Sequence, residues 1–250
     1  MPARAVTLNP RGLGQALIYP YYTVNGNHVT LFSLVNTTAH GKALRLYMRE
    51  ARNGREVLGF NLYLAPQDTW AAQIVLTKGG AGISTTDTSC TVPTLPKTAA
   101  LAQPFLPYDY DGTTQIGTDG GPTDIGRTRE GYIEIIEMGE VTGDSRGTLS
   151  AITPINDAPP GCAALTAAWL NNGYWLVDPK IDLSPPGGGL YGTVSIINVE
   201  QGTMYSANAA AIDGFSATIQ HTIPYMEVPD LASANDGAGA TTVTASIPLG

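Results

Sequence analysis

The sequence predicts an all-β protein, an Ig-like β-sandwich in style, with one short helix and long irregular loops. Three observations carry this. Residues 15–76 break into five apolar runs with period-two alternation, the signature of half-buried strands. Asn25-Gly26 and Asn53-Gly54 stand between such runs, and Asn-Gly is the strongest short-range hairpin signal. The 29 glycines and 18 prolines follow no repeat and fall between the runs, as turn residues do.

The strands follow in order. The first spans Gln15 to Thr23, with Pro20 inside it marking an edge or a bulge. The second, Val29 to Val35, has Leu31 and Val35 on one face and Phe32 and Leu34 on the other, which suits a strand covered on both sides. The third turns Leu44, Leu46 and Met48 inward and Arg45, Tyr47 and Arg49 outward. The fourth aligns Leu58, Phe60, Leu62 and Leu64; the fifth aligns Trp70, Ala72, Ile74 and Leu76. The whole reads as one β-meander and half of a sandwich.

Residues 78–90 read as loop, and 92–127, rich in Pro, Gly, Asp and Thr, as a long connection. Regular structure resumes at Tyr132 to Met138. Thr148 to Thr153 reads as a short strand. Cys162 to Asn171 is the one convincing helix, closed by Asn172-Gly173. A hairpin joins Leu190–Val199 to Thr203–Ala209 across Glu200-Gln201-Gly202, and alternation returns at Val243, Ala245 and Ile247. The chain is expected to be a single β-rich domain over 1–250. A sub-boundary in 92–127 would separate a meander half, 1–91, from a second half, 128–250, that carries helix 162–171.

Composition narrows the function. Charged residues are 14%, there are four lysines, and the net charge is −8. An acidic, lysine-poor chain is poorly matched to a phosphate backbone, so nucleic acid is not expected as a partner. Lysine depletion suits a surface that packs against copies of itself, and equally suits ordinary drift in an extracellular protein. No stretch of 18 apolar residues exists to form a membrane helix. Ala3-Arg4-Ala5, followed by Val6-Thr7-Leu8, has the small-x-small form left at an export-signal cleavage site. Cys90 and Cys162, the only cysteines, fit no metal or C-x-x-C spacing; they read as one disulfide, the alternative being two buried thiols.

Few residues point to chemistry. Gly187-Gly188-Gly189-Leu190-Tyr191-Gly192 spells G-x-G-x-x-G, but prolines precede it and a strand follows, so it reads as a flexible lead-in to that strand. Asp109, Asp111, Asp119 and Asp124 lie in a glycine-rich loop and are candidate calcium ligands without EF-hand spacing; a solvated acidic loop is the simpler reading. Glu130, Glu134 and Glu137 read as solvent-facing, paired with Arg127 and Arg129. Glu130 and Glu134 share a face but stand ~13 Å apart at ~3.3 Å per residue, beyond the roughly 5–9.5 Å of glycosidase pairs. His28, His40 and His221 are isolated, and no G-x-S-x-G elbow supports a triad through Asp213 and His221. No catalytic constellation and no cofactor site is expected. Asn36-Thr37-Thr38 is an N-glycosylation acceptor by pattern, in an exposed position after a strand. Tyr19, Tyr21, Tyr22, Tyr47 and Tyr63 are half-buried sheet residues or a row of binding aromatics.

Five runs carry a resemblance: Gly12 to Thr38 (GLGQALIYPYYTVNGNHVTLFSLVNTT), Arg55 to Trp70, Ser89 to Pro93, Arg127 to Gly139 and Gly192 to Phe215. Together they resemble a family of uncharacterised exported or cell-surface proteins of Gram-negative bacteria. The resemblance spans most of the chain and brings no activity with it. It implies export, pairing of Cys90 with Cys162, and a longer parent chain. The expectation is therefore an extracellular structural protein: a subunit of a filament, pilus-like fibre or surface layer, joined by strand donation (Val6 to Leu8, or Val243 to Ile247) and by apolar sheet contacts. The alternative is a secreted module that binds glycans or a surface partner through Tyr19, Tyr21, Tyr47 and Tyr63.

Overall fold

The computed structural model describes residues 6–114 and 116–237. Ala3 to Ala5 and the Val243, Ala245, Ile247 segment lie outside them.

Fourteen strands and three short helices are described. The strands are β1 (Thr7–Leu8), β2 (Ala16–Thr23), β3 (His28–Asn36), β4 (Gly41–Glu50), β5 (Glu56–Leu64), β6 (Thr69–Leu76), β7 (Ala81–Ser84), β8 (Cys90–Val92), β9 (Gln103–Pro104) and β10 (Glu130–Val141). After α1 (Thr148–Ile152), α2 (Cys162–Ala167) and α3 (Tyr174–Val177) come β11 (Leu183–Ser184), β12 (Leu190–Asn198), β13 (Thr203–Asn208) and β14 (Ala210–Asp213). They form two antiparallel sheets. The eight-stranded sheet runs β1-β14-β2-β10-β4-β5-β8, with β11 beside β10; the six-stranded sheet runs β13-β12-β3-β6-β7-β9.

The expected sandwich is present, but the meander is not. Asn25–Asn27 forms a 3-10 turn, with Gly26 and Asn27 in the left-handed region at φ 59° and 62°. It sends β2 into one sheet and β3 into the other. A left-handed Asn-Gly turn serves a sheet-to-sheet corner as well as a hairpin, and the partners that decide between them lie far along the chain. Those partners are β10 and β14 for β2, and β12 and β6 for β3. Asn53-Gly54 does close a hairpin, β4 to β5, where the Glu50 carboxylate accepts the N–H groups of Arg52, Asn53 and Arg55. Pro20 sits at a bulge, where β2 and β10 lose register between Gly131 and Ile133.

The inner faces interlock as alternation requires. Leu17 and Tyr19, Phe32 and Leu34, Leu44, Leu46 and Met48, Phe60 and Leu62, Trp70 and Ile74, and Ile133 and Ile135 form one core. Phe32 meets Trp70 edge-on at 5.5 Å between ring centroids and Tyr19 at 5.6 Å. Tyr19 reaches between the sheets because Gly192 lacks a Cβ; one there would lie 2.0 Å from the Tyr19 hydroxyl. That hydroxyl donates to the Ser33 carbonyl at 2.8 Å. Aromatic burial of this kind contributes through both area and edge geometry.

The outer faces differ. On the six-stranded sheet, Leu31 is 40% exposed and Leu76 52%, so β3 is covered on one side, not two. The eight-stranded sheet is covered on both. Ala43, Tyr63, Val92 and Val141 pack beneath Ile152, Leu165, Trp169 and Trp175 of the helical segment. Ala16, Tyr47 and Ile136 pack beneath Phe215 and Ala234. The supposedly outward Arg45 is fully buried, and its guanidinium donates to the carbonyls of Ile223 (2.6 Å) and Pro224.

Local assignments change accordingly. Residues 78–90 contain β7, paired to β6. Residues 148–152 are helical, not a strand. The Asp144 carboxylate accepts the Ser150 N–H, and that of Asp182 accepts the Ser145 and Arg146 N–H groups and the Thr148 hydroxyl. Carboxylates at a helix start stabilise it. The expected helix from Cys162 spans Cys162–Ala167 and is one of three.

Cys90 and Cys162 form a disulfide, with Cα atoms 5.0 Å apart, joining edge strand β8 to α2. It closes a 72-residue separation, for which the chain-entropy model gives about 4 kcal/mol. Replacing both cysteines with serine should lower the unfolding free energy by about that amount in urea titrations; an unchanged midpoint would show that the link does not restrain the unfolded chain.

Candidate functional site

The candidate residues scatter. Tyr19, Tyr22, Tyr47 and Tyr63 have no exposed surface, which leaves Tyr21, 39% exposed, as the member of the tyrosine set open to a ligand. Asn36 is fully buried and its amide donates to the carbonyls of His40 and Ala65, both at 2.8 Å. In the folded protein it is therefore no glycosylation acceptor. Glu134 and Glu137 are buried, not solvent-facing. Glu134 binds Arg49 at 2.7 Å and Glu137 binds Lys42 at 2.7 Å; Arg127 turns instead to Glu50 and Asp119.

The four aspartates of the 109–124 loop are not brought together. Asp109 accepts the Glu56 N–H, Asp111 the Thr113 N–H and hydroxyl, and Asp124 the Gly126 N–H. Asp119 takes Asn53 Nδ2 and the Arg127 guanidinium, which hold its carboxyl well below the usual carboxylate range. Among the described residues, no group of three His, Cys, Asp or Glu side chains stands where it could hold a metal ion. An open polar hollow of about 670 Å³ lies beside this loop, lined by Arg49, Arg55, Glu56, Tyr108, Tyr225 and Asp230. Burial pushes the Glu56 carboxyl up, and the Tyr108 hydroxyl donates to it at 2.7 Å. Glu56 of the hollow is thus answered by Tyr108, and Glu134, which lies outside the lining, by Arg49.

His221 is not isolated. It lies under the helical segment against Trp169 and Trp175, with ring centroids 4.7 and 4.6 Å away. Its Nδ1 stands 2.7 Å from the Pro179 carbonyl and its Nε2 2.9 Å from the Tyr63 hydroxyl. The Tyr63 hydroxyl in turn accepts from Trp169 Nε1 at 3.0 Å. These partners assign a neutral ring: Nδ1–H donates to the carbonyl, and the tyrosine donates to Nε2. Sequence spacing could not reveal this, because Tyr63 and His221 are 158 residues apart. The cluster is sealed from solvent, with Tyr63 and Trp175 fully buried and His221 3% exposed.

What remains exposed is one sheet edge. Among the described residues the sheets end at β1, β8, β9 and β13, and two-residue β11 is a further edge beside β10. The first three have two, three and two residues; β9 contains Pro104 and β8 runs into Pro93. β13 has six residues and pairs with β12 in unbroken register from Thr193↔Asn208 to Asn198↔Thr203. Neither strand carries a charged residue. Met204 is 69% exposed and Tyr205 58%. Beside them Tyr21, His28 and Ile196 complete a shallow groove of about 580 Å³. Natural edges are blunted by shortness, proline, charge or bulges; β13 carries none of these.

Burial pushes the His221 pKa down from 6.5 to about 3. The unfolded chain therefore binds a proton that the folded one refuses between those values. Stability is complete above pH 6.5 and falls as pH drops toward 3, by up to about 1.4 kcal/mol per pH unit from this residue. Urea titrations across that range should show a steeper loss for the wild type than for His221→Gln; equal slopes would mean the ring is protonated in the fold.

Comparison of the chain with known protein families, with curated proteins and with solved structures finds no match.

Proposed function

We propose that the protein is an extracellular structural subunit that associates with copies of itself through the β13 edge. The observation that carries this is the contrast among edges: the others are short or proline-blunted, while β13 is six residues long, uncharged and free of bulges. Two copies related by a two-fold axis would set β13 against β13, antiparallel, and extend the six-stranded sheet across the pair. Such a contact is isologous. Backbone groups supply affinity, and Met204 and Tyr205 supply register. Neither strand of the hairpin carries a charge, and Glu200 lies in its turn against Asn27, so like charges stay out of the strand contact.

The disulfide and the resemblance to exported proteins of Gram-negative bacteria support an extracellular compartment. Disulfides persist in oxidising compartments, and no described helix is long and apolar enough to cross a membrane. A filament or layer requires a second contact besides the two-fold pair, and the open outer face of the six-stranded sheet, with Leu31 and Leu76, supports one. Glycan binding is the second reading, favoured by Tyr21 and Tyr205 flanking one groove.

Sedimentation across a concentration series should show dimers or larger species for the wild type. Tyr205→Lys, a charge of the kind that protects natural edges, should weaken association at least tenfold, about 1.4 kcal/mol. A wild type monomeric at every concentration would overturn the proposal. Glycan binding lost in Tyr21→Ala and Tyr205→Ala would favour the second reading.

A further inference from the structure

Lys42 is the one lysine of four with no exposed surface; Lys78, Lys97 and Lys180 are all exposed. It lies on the inner face of β4 at one end of the sandwich. Its Nζ is 2.7 Å from Glu137 Oε1, 2.8 Å from Glu140 Oε1 and 2.8 Å from the Gly188 carbonyl. Glu137, on the neighbouring strand β10, is equally buried. Its Oε1 accepts the Gly187 N–H at 3.0 Å and its Oε2 the Gly188 N–H at 2.7 Å. Glycine makes this cradle: a Cβ at Gly187 would lie 2.3 Å from Glu140 Oε1, and Gly188 has φ +79°. Glu140 opens toward the surface, 13% exposed, where His40 Nδ1 meets its Oε2 at 2.9 Å.

We propose that Lys42 and Glu137 condense into an intramolecular amide that ties β4 covalently to β10. The parts are in place. An amine nucleophile sits in contact with one carboxyl, a second carboxyl touches the same nitrogen, and two backbone N–H groups point at the acceptor's oxygens. In the reaction Nζ attacks Glu137 Cδ, forming the N–C bond. The Cδ–Oε1 bond breaks, and Oε1 leaves as water with two of the three ammonium protons. Glu140 carries a proton from Nζ to Oε1, and the Gly188 N–H holds the negative charge that develops on Oε2. Ammonium plus carboxylate becomes amide plus water, with no oxidant and no activated donor. Two buried ions, costly to keep from water, are replaced by a neutral group. The Nζ–Oε1 contact at 2.7 Å holds the amine one bond from Cδ and supplies the effective concentration that free amines and acids lack. Burial also pushes the Glu137 carboxyl up, against the pull of Lys42, toward the form that can lose its oxygen as water.

The inference is independent of whether the protein self-associates. It is tested by peptide mapping of the wild type, reduced, denatured and digested with trypsin. The expected product is a branched peptide joining residues 12–45 to 130–146, one water lighter than the two together and uncut after Lys42. Separate peptides with cleavage after Lys42 would overturn the proposal. Lys42→Arg keeps the charge, cannot form the amide, and should restore the full intact mass. Glu140→Gln should lower the linked fraction at least tenfold in freshly purified protein; full linkage there would overturn the part assigned to Glu140.

Discussion

The eight-stranded sheet is packed on both faces over most of its area, and much of the molecule follows from that. A sheet covered on both faces meets its polar side chains from within the chain, since an unpaired buried polar group costs about 1–3 kcal/mol, and among the described ones only Arg45 Nε and Asn61 Oδ1 are left without a partner. Arg45 reaches the carbonyls of residues 223 and 224, Asn61 donates to the Thr222 carbonyl, and the Tyr47 hydroxyl donates to the Met226 carbonyl. The irregular segment after β14 is thus a set of acceptors laid over the sheet. The helical segment covers the adjoining area through Trp169, Trp175 and the disulfide. Long stretches without periodicity are what such a cover needs, because its backbone must follow the side chains beneath it.

Legibility follows distance along the chain. The inner faces of β4, β5 and β6 can be read because alternation is local, and so can the turn at Gly54 and the hairpin β12–β13. The cysteine pair can be read because only one pairing exists. What the sequence hides is which outer face is covered. Arg45, Tyr47, Tyr63 and Glu134 look like solvent-facing residues of amphipathic strands, and their covering partners arrive 85 to 179 residues away. Asn36 shows the same blindness at short range: its sequon is intact, but its amide is spent on a corner between β3 and β4. The β13 edge is legible as a strand and not as an edge, because edge status is a property of the neighbours.

Charge is placed with the same economy. The chain carries few ions, and besides Arg45 and the Arg49–Glu134 pair those it buries form two groups: Lys42–Glu137–Glu140 at one end of the sandwich, and Glu50–Arg127–Asp119 beside the β4–β5 turn. Between them the six-stranded sheet presents hydroxyls. Ser33 meets Thr193 at 2.8 Å, and Ser195 meets Ser206 at 2.8 Å. A neutral, hydroxyl-lined face beside an uncharged edge sets few electrostatic obstacles against a second copy of the same surface.

The first three strands of the described chain, β1, β2 and β3, take neighbours from residues 190–213. A ribosome that has released the first hundred residues has therefore produced two sheets that are each missing a central or flanking member. Neither can close until nearly the whole of the described chain has been made. Through most of its synthesis the chain therefore carries its first strands without their final neighbours.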